Sequence, residues 1–100
     1  MLEKTIEKTL KTTIEKHGGI CWKLTSPGTA GVPDRLIILP GGHICFIELK
    51  APGQKPRPLQ THRHQQLTNL GAMVRTIDHP NQINNLIKEI HQWPTTTQQP

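Results

Sequence analysis

Three charged residues stand where charge is hard to place: Asp34 opens an apolar run, and Glu48 and Lys50 close another. Arg35-Leu36-Ile37-Ile38-Leu39 and Ile44-Cys45-Phe46-Ile47 are short, β-branched-rich stretches. Pro40-Gly41-Gly42-His43 between them reads as a hairpin connection. Side chains alternate across a strand, so Ile44, Phe46, Glu48 and Lys50 share one face while Cys45, Ile47 and Leu49 take the other. If the two strands pair antiparallel, the start of the first lies beside the end of the second, and Asp34 comes next to Glu48. Two carboxylates and an ammonium then converge at one sheet edge. Magnesium takes hard oxygen ligands, commonly one or two carboxylates, with water and phosphate oxygens completing the shell. An ion so held polarises a phosphodiester and lowers the pKa of a bound water; a neighbouring lysine orients that water or offsets transition-state charge. Taken singly, the same residues also suit an exposed ion pair and a turn.

The elements that must position these groups follow from periodicity. Leu2, Ile6, Leu10 and Ile14 recur every four residues, predicting a first helix over 2–17 that Gly18-Gly19 stops. On a helical wheel Glu3 lies about 40° from the centre of that stripe and Glu7 about 80°. Both acids also sit well against the helix dipole as ordinary first-turn residues. Ile20 to Leu24 predicts a strand beside the hairpin. Residues 25–31 form a small-residue loop that lacks the Gly-Lys-Ser/Thr of a phosphate-binding loop. There Lys23, Thr25, Ser26 and main-chain amides would meet phosphates, unless the loop is a plain connection.

After Lys50 the charge balance changes. From Ala51 to Ile77 there is no acid, while Lys55, Arg57, Arg63 and Arg75 are cationic. Three prolines make 51–58 a loop beside the carboxylates, suited to a polyanion. A second helix is expected over 59–70 and a strand over 72–77, giving a βαβ unit. A last helix starts at Asp78-His79-Pro80 and carries Ile83, Leu86, Ile87 and Ile90 on one face, with Trp93 capping it or meeting a partner. His62 and His64 point to different faces of their helix and the cysteines are distant, which argues against zinc.

One hundred residues allow a single small domain, read as 1–93, with 94–100 a low-complexity, mobile tail. A net charge of +5 and a pI near 9.6 favour an anionic partner, nucleic acid above all. With only three aromatics, Trp22, Phe46 and Trp93, the core must rest on aliphatic side chains, and dimerisation would help a chain so small. Cys21 and Cys45 read as reduced, buried thiols. No signal-like or membrane-spanning run is present, so a soluble, cytoplasmic protein is expected.

Gly31-Val32-Pro33-Asp34 followed by Phe46-Ile47-Glu48-Leu49-Lys50-Ala51-Pro52-Gly53 resembles the PD-(D/E)XK nuclease core, and within it the virus-type replication-repair nuclease (VRR-NUC) domain. The likeness continues through Pro58-Leu59-Gln60 and Gly71 with the strand after it, covering roughly residues 2–90. It implies an α/β fold of the restriction-endonuclease-like kind: a mixed sheet of about four strands flanked by helices, in the order α-β-β-β-α-β-α. It also implies Mg2+- or Mn2+-dependent hydrolysis of DNA. Asp34, Glu48 and the Leu49 carbonyl would hold the metal, Lys50 would position water, Gln60 would support the site, and a first-helix glutamate would act through water. Family spacing to Gly18 favours Glu7 for that glutamate, whereas the wheel favours Glu3. Lys23, Ser26, Lys55, Arg57 and Arg63 would contact DNA. By the same resemblance the chain is a stand-alone phage or prophage type working in a bacterial or phage-infected cell. It would act as a homodimer on branched DNA, in the manner of Holliday-junction resolvases. A nonspecific or flap-directed nuclease, a non-catalytic DNA-binding module and a small assembly subunit are the competing readings.

Overall fold

The computed structural model describes residues 2–94; positions 95–100 of the expected tail lie outside the described residues. The elements are α1 (Glu3–Lys16), β1 (Ile20–Lys23), β2 (Arg35–Leu39), β3 (His43–Leu49), α2 (Pro58–Asn69), β4 (Val74–Ile77), a 3-10 turn (Pro80–Gln82) and α3 (Ile83–Gln92). They build a mixed four-stranded sheet in the order β1-β2-β3-β4. β1, β2 and β3 pair antiparallel, and β3 pairs parallel with β4. The α/β architecture expected from the sequence is the one observed.

The alternation along β3 sorts the two faces of the sheet. Cys45, Ile47 and Leu49 are fully buried with Cys21, Ile37 and Leu39 against Ile6, Leu10 and Ile14 of α1 and Ile83, Leu86, Ile87 and Ile90 of α3. Both helices therefore lie on this face, and the core between them and the sheet is hydrocarbon and thiol. Burial pushes the Cys45 thiol up to about 12, so it behaves as a small hydrophobe. The other face carries Glu48 and is covered by α2 at one end only, leaving Trp22 and Ile44 exposed.

Local chemistry sets the remaining boundaries. α3 starts later than the sequence suggests because Gln82 Oε1 accepts the N–H groups of Asp78 and His79, and His79 Nδ1 accepts that of Asn81. These bonds hold Pro80–Gln82 in a tighter turn, and the α-helix follows it. Trp93 packs against the core as a cap: its Nε1 donates to the Gly71 carbonyl at 3.3 Å, and the Arg75 guanidinium lies 5.5 Å from its ring centroid.

Gly19 shows how closely α1 is drawn onto the sheet. A Cβ there would lie 2.5 Å from the Ile38 carbonyl oxygen and 2.9 Å from Leu39 Cδ2. Backbone cannot yield as a flexible side chain does, so Gly19→Ala should destabilise the fold by about 1–3 kcal/mol in urea unfolding. An unchanged midpoint would show that the α1–β1 junction is looser than this contact requires.

Candidate active site

The hairpin register brings the carboxylates together. Arg35 pairs with Ile47, which sets Asp34 opposite Glu48 one step further on. Pro33, completely buried, fixes the approach to that step, and the Leu24 N–H donates to the Asp34 carbonyl at 2.9 Å. The Leu49 N–H donates to Asp34 Oδ1 at 3.2 Å, tying the side chain of one strand to the backbone of the next. Glu48 is only 3% exposed, and Lys50 Nζ stands 3.6 Å from its Oε2. Lys50 itself donates its N–H to the Ile77 carbonyl, so its backbone is held by β4.

Gln60 explains why α2 docks where it does. Its Oε1 accepts the N–H of Arg57, the residue capping the helix, at 2.9 Å. Only the amide oxygen can accept that bond, so the NH2 group must face the other way. It does so productively: Nε2 donates to Glu48 Oε2 at 3.0 Å, and the side chain is buried. Gly31 makes the close approach possible. It sits at φ +87°, and a Cβ there would meet Leu59 Cγ at 2.9 Å, the Leu59 carbonyl oxygen at 3.0 Å and Arg63 Cγ at 3.2 Å. The glycine of the Gly-Val-Pro-Asp segment thus serves α2 as much as Asp34.

His64, one helical turn after Gln60, is a site neighbour that the sequence reading did not assign. Its Nε2 lies 3.9 Å from Glu48 Oε1, and neither buried atom has a hydrogen-bond partner. A buried polar atom left so costs about 1–3 kcal/mol. The signal was available in the i, i+4 spacing to Gln60. Burial first, and then the Lys50 charge, hold His64 below the usual histidine range, which leaves it neutral at pH 7.

The acids of α1 divide. Glu7 pairs with Arg35, which points to the α1 side, and both line a cleft of about 420 Å³ with Lys11, Cys21, Trp22 and Lys23. Glu3, exposed at the start of α1, is the helix acid whose charge reaches both Asp34 and Glu48. Of the residues expected at DNA, Lys23, Lys55 and Arg57 are exposed and Ser26 is half-buried. Arg63 is partly committed: its Nε donates to the Ala30 carbonyl at 2.9 Å, clamping α2 to the loop before Asp34.

The electrostatics favour a cation between the carboxylates. Burial raises the pKa of Asp34, opposed by the Leu49 N–H and by Arg35. Burial likewise raises Glu48, followed by the Asp34 charge, with Lys50 opposing. Two acids both raised by burial, Glu48 further by the charge of Asp34 and with an oxygen lacking any donor, fit a hard divalent ion. No group of three or more His, Cys, Asp or Glu side chains is preassembled for a metal among the described residues. Such a donor set suits an ion that keeps several waters, as magnesium does.

Two measurements check this account. A folded-state pKa raised above its unfolded value contributes stability that is present at low pH and lost as pH rises through the folded-state value. In metal-free protein, Glu48→Gln should therefore raise Tm at pH 7, and the gain should shrink towards pH 4, where the native carboxyl is also protonated. About 1 kcal/mol would appear as roughly 4–8 °C. A gain that persists unchanged at pH 4 would refute the assignment to charge. Gly31→Ala should cost about 1–3 kcal/mol by overpacking against Leu59 and lengthen the Gln60–Glu48 contact; wild-type stability and an unmoved α2 in its crystal structure would refute it.

Comparison with known proteins places this geometry. No family model matches the chain. It is 51% identical over 76 residues to "Putative nuclease p44" of Acyrthosiphon pisum secondary endosymbiont phage 1, spanning 76% of this chain and 82% of that protein. A solved structure described as a VRR_NUC domain superposes with a TM-score of 0.80 at 37% identity, covering 86% of this chain and 94% of the other. A second, described as a VRR_NUC domain protein, shares the fold at a TM-score of 0.66 and 20% identity over 93% and 88% of the two chains. With the Asp34, Glu48 and Lys50 cluster at the ends of the two central strands and these identities over most of both chains, the protein belongs to the VRR-NUC family of nucleases.

Proposed function

We propose that the chain is an Mg2+- or Mn2+-dependent endonuclease that hydrolyses DNA phosphodiesters. The observation that carries this is the buried Glu48, set against Asp34 by strand register, held by Gln60 and approached by Lys50. Asp34, Glu48 and the Leu49 carbonyl would hold the ion, which when bound supplies Lewis-acid stabilisation of the phosphate oxygens and a more acidic water. The protein does the rest. Lys50 orients the attacking water by its ammonium and offsets negative charge as the phosphorus–oxygen bond to the leaving group breaks. Gln60 anchors Oε2 of the Glu48 carboxylate. From α1, Glu3 fits the place of a water-mediated acid, because Glu7 is held by Arg35.

Lys55 and Arg57, exposed in the loop that follows Lys50, and Lys23, exposed at the end of β1, suit a polyanion. Branched DNA as substrate and a homodimer as the working form are the readings that the family resemblance supports, two active sites answering two strands.

The test is cleavage of end-labelled four-way junction, flap and linear duplex DNA with magnesium, manganese or EDTA. Wild-type protein should make paired, metal-dependent cuts on the junction, and Lys50→Ala should lose about 10²–10³-fold in rate. Cleavage that ignores EDTA would overturn the metal reading. Equal cutting of all three DNAs would overturn the branched-substrate reading, and a folded protein cutting none would be a binding module.

A further inference from the structure

His64 stands apart from the residues that the resemblance supplies. It follows Gln60 by four positions, so the two side chains leave α2 on one face. Gln60 already donates to Glu48 Oε2, and Lys50 approaches that same oxygen. The other oxygen, Oε1, is buried and has no donor, and the atom facing it is His64 Nε2, likewise buried and without a partner. Their separation of 3.9 Å exceeds an ordinary hydrogen bond by about 1 Å, which a small change of side-chain torsion covers.

We infer that His64 is a positioning residue of the site, its Nε2–H donating to Glu48 Oε1 so that α2 grips both oxygens of one carboxylate. This rests on the reading of Glu48 as a metal ligand. A carboxylate held from both oxygens cannot swing about its terminal torsion, and the lone pairs left free keep their aim towards Asp34. Gln60 alone holds the planar group by one bond, about which it can still rock. Partners that orient a ligand in this way are worth about 10–100-fold in metal affinity.

The experiment compares wild type, His64→Gln and His64→Leu in the full chain. Mn2+ affinity is measured by calorimetry, with melting temperatures recorded in EDTA as the check on folding. Leucine fills the imidazole's space without a donor, whereas glutamine restores an N–H. The expected result is Mn2+ binding about 10–100-fold weaker in His64→Leu and within about threefold of wild type in His64→Gln. Equal affinity in all three proteins overturns the inference. So does loss of Mn2+ binding by folded His64→Gln, which would make the imidazole a nitrogen ligand of the metal; this outcome decides whether or not His64→Leu folds. Wild-type protein that binds no Mn2+ overturns both this inference and the metal role of Glu48, so the two failures are distinguishable.

Discussion

A carboxylate removed from water must be surrounded by groups that tolerate its charge, and the burial of Glu48 imposes that requirement on half of the molecule. It needs a donor within reach, which is Gln60, and Gln60 reaches it because α2 lies against the loop before Asp34. That contact needs Gly31 without a side chain and Arg63 tied to the Ala30 carbonyl. It also needs a nearby cation, and Lys50 leaves β3 two residues on, on the same face. These features form a chain of dependence from one buried charge outward.

The sheet separates stability from chemistry by its two-residue alternation. On the side of α1 and α3 it buries aliphatic groups and two thiols, with the Arg35–Glu7 pair at the margin, and on the other it presents charge and partly covered apolar surface. A slip of one residue between β2 and β3 would exchange the faces, burying Lys50 in hydrocarbon and exposing Ile47 and Leu49. Register is therefore fixed from both sides: by the core, and by the Asp34 bond to the Leu49 amide.

What could be read from the sequence was whatever strand alternation or helical periodicity encodes. The hairpin, the parallel β3–β4 pair and the placing of Asp34 beside Glu48 all follow from counting. The late start of α3 did not, because it depends on the side chains of Gln82 and His79 competing for backbone donors. Distance from Gly18 favours Glu7, yet its surroundings include Arg35, whose direction only the assembled β1–β2 pair defines. The wheel, which measures facing, pointed to Glu3. His64 carries no signal of its own in the sequence, because its relevance depends on Gln60 facing inward.

The strands also give the molecule a polarity along its length. β3 runs from the hairpin turn at His43 to the carboxylates, about 20 Å for seven residues. Trp93, at the end of α3, lies against Gly71 near the turn, whereas α1 begins with Glu3, whose charge is felt at the carboxylate end. The two ends of the folded body are therefore not equivalent as points of attachment. A label, a surface tether or a fused module joined after α3 would sit at the quiet end of the sheet. The same addition before α1 would stand at the mouth of the site, where its bulk and charge compete with the nucleic acid.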